Sequence, residues 1–197
     1  MDSARRIAAI LLVVTVPPAV AFWLVAHPLA ALWRRLGAGW TYMALAGAWI
    51  AMAAPLFLLR GSLIGRDLGT SWPLVGVAVV LYGGAAWLSV LCRRQLRLGV
   101  FVGVPELSSR AYPGRLLQDG VYGVVRHPRY ASVILGTMGF AFAVNYVGAY
   151  VVVALSLLLL WPVVVLEERE LAARFGLEYE AYRRRTPALL PRWRRSR

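Results

Sequence analysis

Five stretches of the chain are apolar almost without interruption, at roughly residues 7–27, 40–59, 73–92, 130–146 and 148–166. Crossing the hydrocarbon core of a bilayer takes about 20 mostly apolar helical residues, and a helix satisfies its own backbone where no water is present. The pattern therefore predicts an all-α integral membrane protein with about five transmembrane helices. Pro17-Pro18 falls inside the first stretch, where the loss of backbone donors predicts a kink or break. Gly83-Gly84, Gly136 and Gly139 predict close helix–helix contact. The fourth and fifth stretches are joined by only a couple of residues, which forces an antiparallel hairpin and brings the start of one span level with the end of the next.

The polar segments between the stretches orient them. All 22 basic residues are Arg, against 9 acidic residues, for a net charge of +13. With five spans, Arg5, Arg6, Arg60 and Arg66 fall on one side with the N-terminus, the 60–72 loop and the turn near 147, and the remaining 18 of the 22 fall on the other. Cytoplasmic loops carry the excess of basic residues, so the 93–129 loop and the C-terminal tail are expected in the cytoplasm, with the chain spanning the cell (inner) membrane. An alternative reads Arg5-Arg6, the run Ile7 to Val16 and Ala19-Val20-Ala21 as a cleavable signal peptide. That alternative would export the Arg-rich tail, against the 18-to-4 asymmetry, so the first stretch is read as a span.

Composition agrees: 60% of residues are hydrophobic, against roughly 45–50% in soluble domains. The basic charge lies beside apolar spans, as cytoplasmic loops do, rather than forming a nucleic-acid footprint. Cys92 is the single cysteine, so no internal disulfide forms. His27 and His127 lack cysteine partners at zinc-site spacing, so no metal is expected. No repeat or linker divides the chain, and residues 1–197 read as one domain whose motif-bearing half is about 113–191. Phe101-Val102, Leu107 and Leu116-Leu117 in the 93–129 loop suggest partial burial against the cytoplasmic face, and Leu171, Phe175, Tyr179 and Tyr182 share one side of a predicted amphipathic tail helix at the interface.

Candidate chemistry gathers where the fourth and fifth spans meet the tail. Arg126, His127 and Tyr130 stand at the start of the fourth span, and Glu167-Glu168 closes the fifth. The hairpin brings both clusters to one depth, and the tail's apolar side falls between the two glutamates, so at least one carboxylate is expected to face inward. Ionisable groups at a membrane boundary facing a bundle mark functional sites by default.

Two motifs run through this region. The first is Gly120-x-Tyr122-x-x-x-Arg126-His127-Pro128-x-Tyr130, and the second is Glu167-Glu168-x-x-Leu171-x-x-x-Phe175-Gly176-x-Glu178-Tyr179-x-x-Tyr182-x-x-Arg185-x-Pro187. Together, over about the last eighty residues, they closely resemble the isoprenylcysteine carboxyl methyltransferase family and its bacterial relatives among phospholipid-methyltransferase-like membrane enzymes. The resemblance implies an S-adenosylmethionine-dependent methyltransferase whose cofactor sits in a cytoplasm-facing pocket between the last two spans and the tail. It further implies an apolar or lipid-like acceptor arriving from the bilayer, presented as a carboxylate, thiol or amine. His127, Tyr130 and Glu167 are the implied cofactor-pocket residues, followed by Tyr122, Glu168 and Tyr179; no residue is assigned a catalytic role. The chain departs from the family pattern at Ser132, where members commonly have Gly, and at Pro162, where eukaryotic prenylcysteine enzymes carry Arg. The second departure removes a cation that would orient a prenylcysteine carboxylate. Two alternatives stand beside this reading: a nicotinamide-dependent membrane reductase of the sterol-reductase type, which shares a His-Pro-x-Tyr stretch but usually follows it with Gly-Asp instead of Ala131-Ser132, and a non-catalytic lipid-binding membrane protein.

Overall fold

The computed structural model describes residues 2–26, 28, 29, 32, 33, 35, 38–95 and 115–191. The expected burial of Phe101-Val102 and Leu107 lies outside the described residues. Helix α1 spans Asp2–Ala26, α2 Ala38–Leu58, α3 Arg60–Ile64, α4 Trp72–Gln95, α5 Val121–Val124, α6 Pro128–Val144, α7 Val147–Phe175 and α8 Leu177–Arg185. Among the described residues, α1, α2, α4 and α7 are long and apolar enough to cross a membrane. The remaining long helix, α6, has 17 residues, a rise of about 25 Å, and is slightly shorter than a full span.

The two ends of the bundle can be told apart by their contacts. At one end Arg5 chelates both carboxylate oxygens of Asp67 at 2.8 Å and donates to the Val144 carbonyl at 3.0 Å. Leu68 N–H donates to Asn145 O and Val147 N–H to Arg66 O, each at 3.1 Å. The start of α1, the loop before α4 and the α6–α7 turn therefore share that end, as five alternating passes require. The turn between α6 and α7 is Asn145-Tyr146, with Asn145 at φ 53 in the left-handed region, where a short polar side chain is tolerated.

Small residues hold α4 to α6. A Cβ on Gly139 would stand 3.2 Å from the Ala78 carbonyl oxygen and 3.3 Å from Leu81 Cβ, so the backbones approach as only small residues permit. Ser132, the departure from the family's Gly, donates to the Ala85 carbonyl at 2.9 Å and meets the Ser89 hydroxyl at 2.7 Å. A hydroxyl here converts close packing into an interhelical hydrogen bond. On the other flank α1 packs along α7 through a core that includes Leu12, Val13, Ala149 and Val153.

Two expectations are corrected. Of the kink or break expected at Pro17-Pro18, the break does not occur: helix α1 is continuous through both prolines, since a helix in lipid keeps its remaining hydrogen bonds where no solvent competes. The fifth span does not hand over to a separate interfacial helix at Glu167: α7 continues to Phe175, and the chain turns only at Gly176, φ 53. The predicted apolar side survives the break, since Leu171, Ala172 and Phe175 of α7 pack against Tyr179 and Tyr182 of α8 and against Leu116.

Candidate functional site

Local sequence explains how the first motif is displayed. Pro128 occupies the first turn of α6, where its missing N–H costs nothing and its fixed φ starts the helix. His127 ahead of it is non-helical, φ −121 and ψ 59, as the α region is disfavoured for the residue before a proline. Its backbone N–H is thereby free to donate to Ala188 O at 2.9 Å, while the Arg126 N–H donates to Pro187 O at 2.8 Å. The tail after α8 is stitched to the motif through its main chain.

Glu168 is the hub of the side chains. It accepts from Arg126 Nε at 3.0 Å and again from Arg126 Nη2, and its Oε1 lies 3.1 Å from His127 Nε2. Its second oxygen is 3.5 Å from Arg183 Nε. The Arg126–Glu168 pair is nearly out of solvent, at 10% and 13% side-chain exposure. Arg126 also reaches the tail, donating to the carbonyls of Arg183, at 3.1 Å, and Thr186. Glu167 stands on the opposite side of the histidine, with Oε2 3.5 Å from His127 Nδ1 and 29% of its side chain exposed. The Tyr130 ring lies 5.6 Å from the His127 ring at an interplanar angle of 30°.

His127 is buried, which works against a charged ring, yet the hydrogen bonds and charges of Glu167 and Glu168 outweigh that cost and push its pKa up to about 9. The ring is therefore an imidazolium at neutral pH, donating from both nitrogens. Burial pushes the Tyr182 phenol up to about 12, and burial raises Tyr179 too. Both remain neutral hydroxyls under all physiological conditions.

All six residues expected at the site come to one end of the bundle. His127, Tyr130, Glu167 and Glu168 form the cluster itself. Tyr179 is fully buried behind it in α8. Tyr122 receives the Tyr182 hydroxyl on its backbone carbonyl at 2.7 Å and turns its own side chain to Cys92 at the end of α4. The sequence placed Arg126 in the polar cluster without fixing its partners; the contacts it makes with Arg183 and Thr186 depend on backbone carbonyls and on positions some forty to sixty apart, which no local spacing encodes. Gln118, which donates to Glu178 Oε1 at 2.7 Å and accepts from Arg185, belongs to the same class.

The concave surface at this end has a volume of about 560 Å³ and is lined by Arg115, Gln118, Asp119, Gly123, Glu178 and Thr186 among others. It lies between the segment leading into α5 and the tail helix. Among the described residues no group of three His, Cys, Asp or Glu side chains is placed to hold a metal ion.

Fold and site together define an α-helical integral membrane protein with a buried ionic cluster where its last long helices meet a docked tail. Sequence comparison agrees and is more specific: the chain belongs to the phospholipid methyltransferase family, whose profile matches residues 74–178, more than half its length. Membership implies a methyl donor. Over 78 residues the chain is 38% identical to a cobalt-zinc-cadmium resistance protein of Cupriavidus metallidurans, covering 39% of this chain and 36% of that one. It is 34% identical over 80 residues to the protein-S-isoprenylcysteine O-methyltransferase of Schizosaccharomyces pombe, covering 39% and 33%. With methanethiol S-methyltransferase 1 of Bradyrhizobium diazoefficiens the figure is 34% over 90 residues, covering 46% and 30%. The match thus spans about a third of the length of these relatives. No solved structure matches the chain.

Proposed function

We propose that the protein is an S-adenosylmethionine-dependent integral membrane methyltransferase acting on an apolar or lipid-like acceptor. The observation that carries the reading is the convergence of both motifs, from segments about forty residues apart, on one cluster at one end of the bundle. Relatives named as isoprenylcysteine and methanethiol methyltransferases support it, and their acceptors share apolar character while differing in the methylated atom.

The donor set suits this cofactor. A partly exposed carboxylate, Glu167, complements a cationic ligand carrying an ammonium and a sulfonium, and Tyr130 and Tyr122 offer aromatic surface for a purine or a cation. His127 as an imidazolium has both ring nitrogens turned to the two glutamates, which suits holding those carboxylates better than proton abstraction. When bound, the cofactor supplies an electrophilic methyl group on sulfur. The protein's task is then alignment and exclusion of water, since holding reactants in line is worth roughly 7–11 kcal/mol. A thiolate or carboxylate acceptor already ionised needs no base, and the protonated His127 does not offer one.

The membrane reading proposes that the cluster faces the cytoplasm of a cell (inner) membrane and that the acceptor enters laterally between helices. Arg126 and Arg183, the side chains best placed to replace a cation at Pro162, are already engaged by Glu168 and by tail carbonyls. That argues against a prenylcysteine carboxylate and for a thiol, an amine or another apolar acceptor. The test is transfer: incubate the purified protein with methyl-labelled cofactor and separately with a prenylcysteine, an apolar thiol and a bacterial lipid extract. Label in the thiol or lipid fraction is expected; label in the prenylcysteine alone would overturn the acceptor assignment.

A further inference from the structure

We propose that the two adjacent glutamates have divided roles: Glu168, with Arg126, is a positioning pair that fixes His127 and docks the tail, and Glu167 is the carboxylate presented to the bound cofactor. The inference rests on the methyltransferase reading and assigns work within that site.

The geometry separates the two side chains. A carboxylate has about four acceptor positions. Glu168 spends its own on Arg126 Nε and Nη2, on His127 Nε2 at 3.1 Å, and on Arg183 Nε at 3.5 Å. Little acceptor capacity is left for a ligand, and only 13% of the side chain is exposed. Glu167 reaches the same histidine from the other ring nitrogen, Nδ1, at 3.5 Å, and is more than twice as exposed. One ring thus spans both carboxylates, with Glu168 holding it from the protein side.

Arg126 extends the pair into the tail. Its Nη1 is shared between the carbonyls of Arg183, in the last turn of α8, and Thr186, just after it, and its own backbone N–H donates to the Pro187 carbonyl. A planar guanidinium with five donors spans a carboxylate and two carbonyls at once; a lysine ammonium, a single point, does not. The ion pair consequently links the end of α7, the motif before α6 and the end of α8.

The test measures binding of S-adenosylhomocysteine, the demethylated cofactor, by calorimetry on the full chain in lipid nanodiscs. Glu167→Gln is expected to weaken binding by roughly 10- to 100-fold with the tail still docked. Glu168→Gln and Arg126→Lys are each expected to weaken it by a similar factor, in the range typical of residues that orient a ligand-binding group, and to increase proteolysis of the tail. Removing one member of a buried pair strands the other's charge, so Arg126→Gln/Glu168→Gln provides a variant without that penalty. As a coupled pair the double variant should bind no worse than either single one, whereas Arg126→Gln combined with Glu167→Gln should multiply the losses. With Glu168 neutral, His127 keeps one carboxylate partner; the groups against its ring are Glu167, Glu168 and Tyr130, with Arg126 and Arg183 paired to Glu168 behind them. The alkaline limb of the binding profile should then move to lower pH, which a purely structural defect would not produce. If the wild-type protein binds no cofactor, the methyltransferase reading fails. If it binds, and Glu167→Gln is harmless or Glu168→Gln multiplies with Arg126→Gln, the division of roles fails.

Discussion

The motif Arg126-His127-Pro128-x-Tyr130 divides its labour atom by atom. Pro128 starts a helix, His127 is left outside it with its ring between two carboxylates, and Arg126 turns back to the tail. The protonation of His127 gives this arrangement a pH signature. Its folded pKa of about 9 lies above the usual value near 6.5, so the stabilisation is complete below about pH 6.5 and disappears as pH rises through about 9. With both carboxylates sharing one ring, its size is on the order of 2–3 kcal/mol. Thermal unfolding of the wild-type protein should therefore drop in midpoint between pH 7 and 10, and His127→Asn should lower the midpoint at pH 7 and flatten the slope. Parallel slopes in the two proteins would assign the effect to another group.

At the scale of elements, the glycines and small residues predict where the bundle is least tolerant. A Cβ on Gly148 would overlap the Leu63 carbonyl oxygen and the Ile64 backbone, which cannot rotate away as a side chain would. Gly148→Ala should accordingly destabilise by more than the 1–3 kcal/mol usual for overpacking, and Gly139→Val should fall within that range, both read from denaturation in mild detergent. Gly83→Ala, with nothing within 4 Å of its added Cβ, should stay within about 0.5 kcal/mol. The spans were legible in the sequence because a bilayer leaves one way to satisfy a backbone, so hydrophobic length alone encodes the helices. The extension of α7 was less legible: Glu167-Glu168 ends the apolar run, but α7 carries on to Gly176 because Leu171, Ala172 and Phe175 still bury a face against α8. Pro17 and Pro18 do not break α1 for the converse reason, since a local breaker is overruled where packing holds the segment.

Across the whole molecule, the alternation of five long helices places Arg5 and Asp67 at one end and the Glu168 hub at the other. Hydrophobic pattern and charge asymmetry predicted that two-ended plan; they did not predict the partners of Glu168, because a contact such as Arg126 to Thr186 O is a property of chain return and carries no local signal. The proposed orientation has a direct check: a fluorescent protein fused after the tail should glow, and an alkaline phosphatase fused there should be inactive, while the reverse outcome would put the cluster outside. The central claim is that the cluster holds S-adenosylmethionine. A protein that binds a ligand only in its native state is stabilised by it, by about 2.7 kcal/mol at a hundredfold excess over the dissociation constant. The measurement is the melting midpoint of the purified protein with saturating S-adenosylhomocysteine and, separately, with NADPH. A rise with the first and none with the second is predicted; a rise with NADPH alone would contradict the account and identify a reductase.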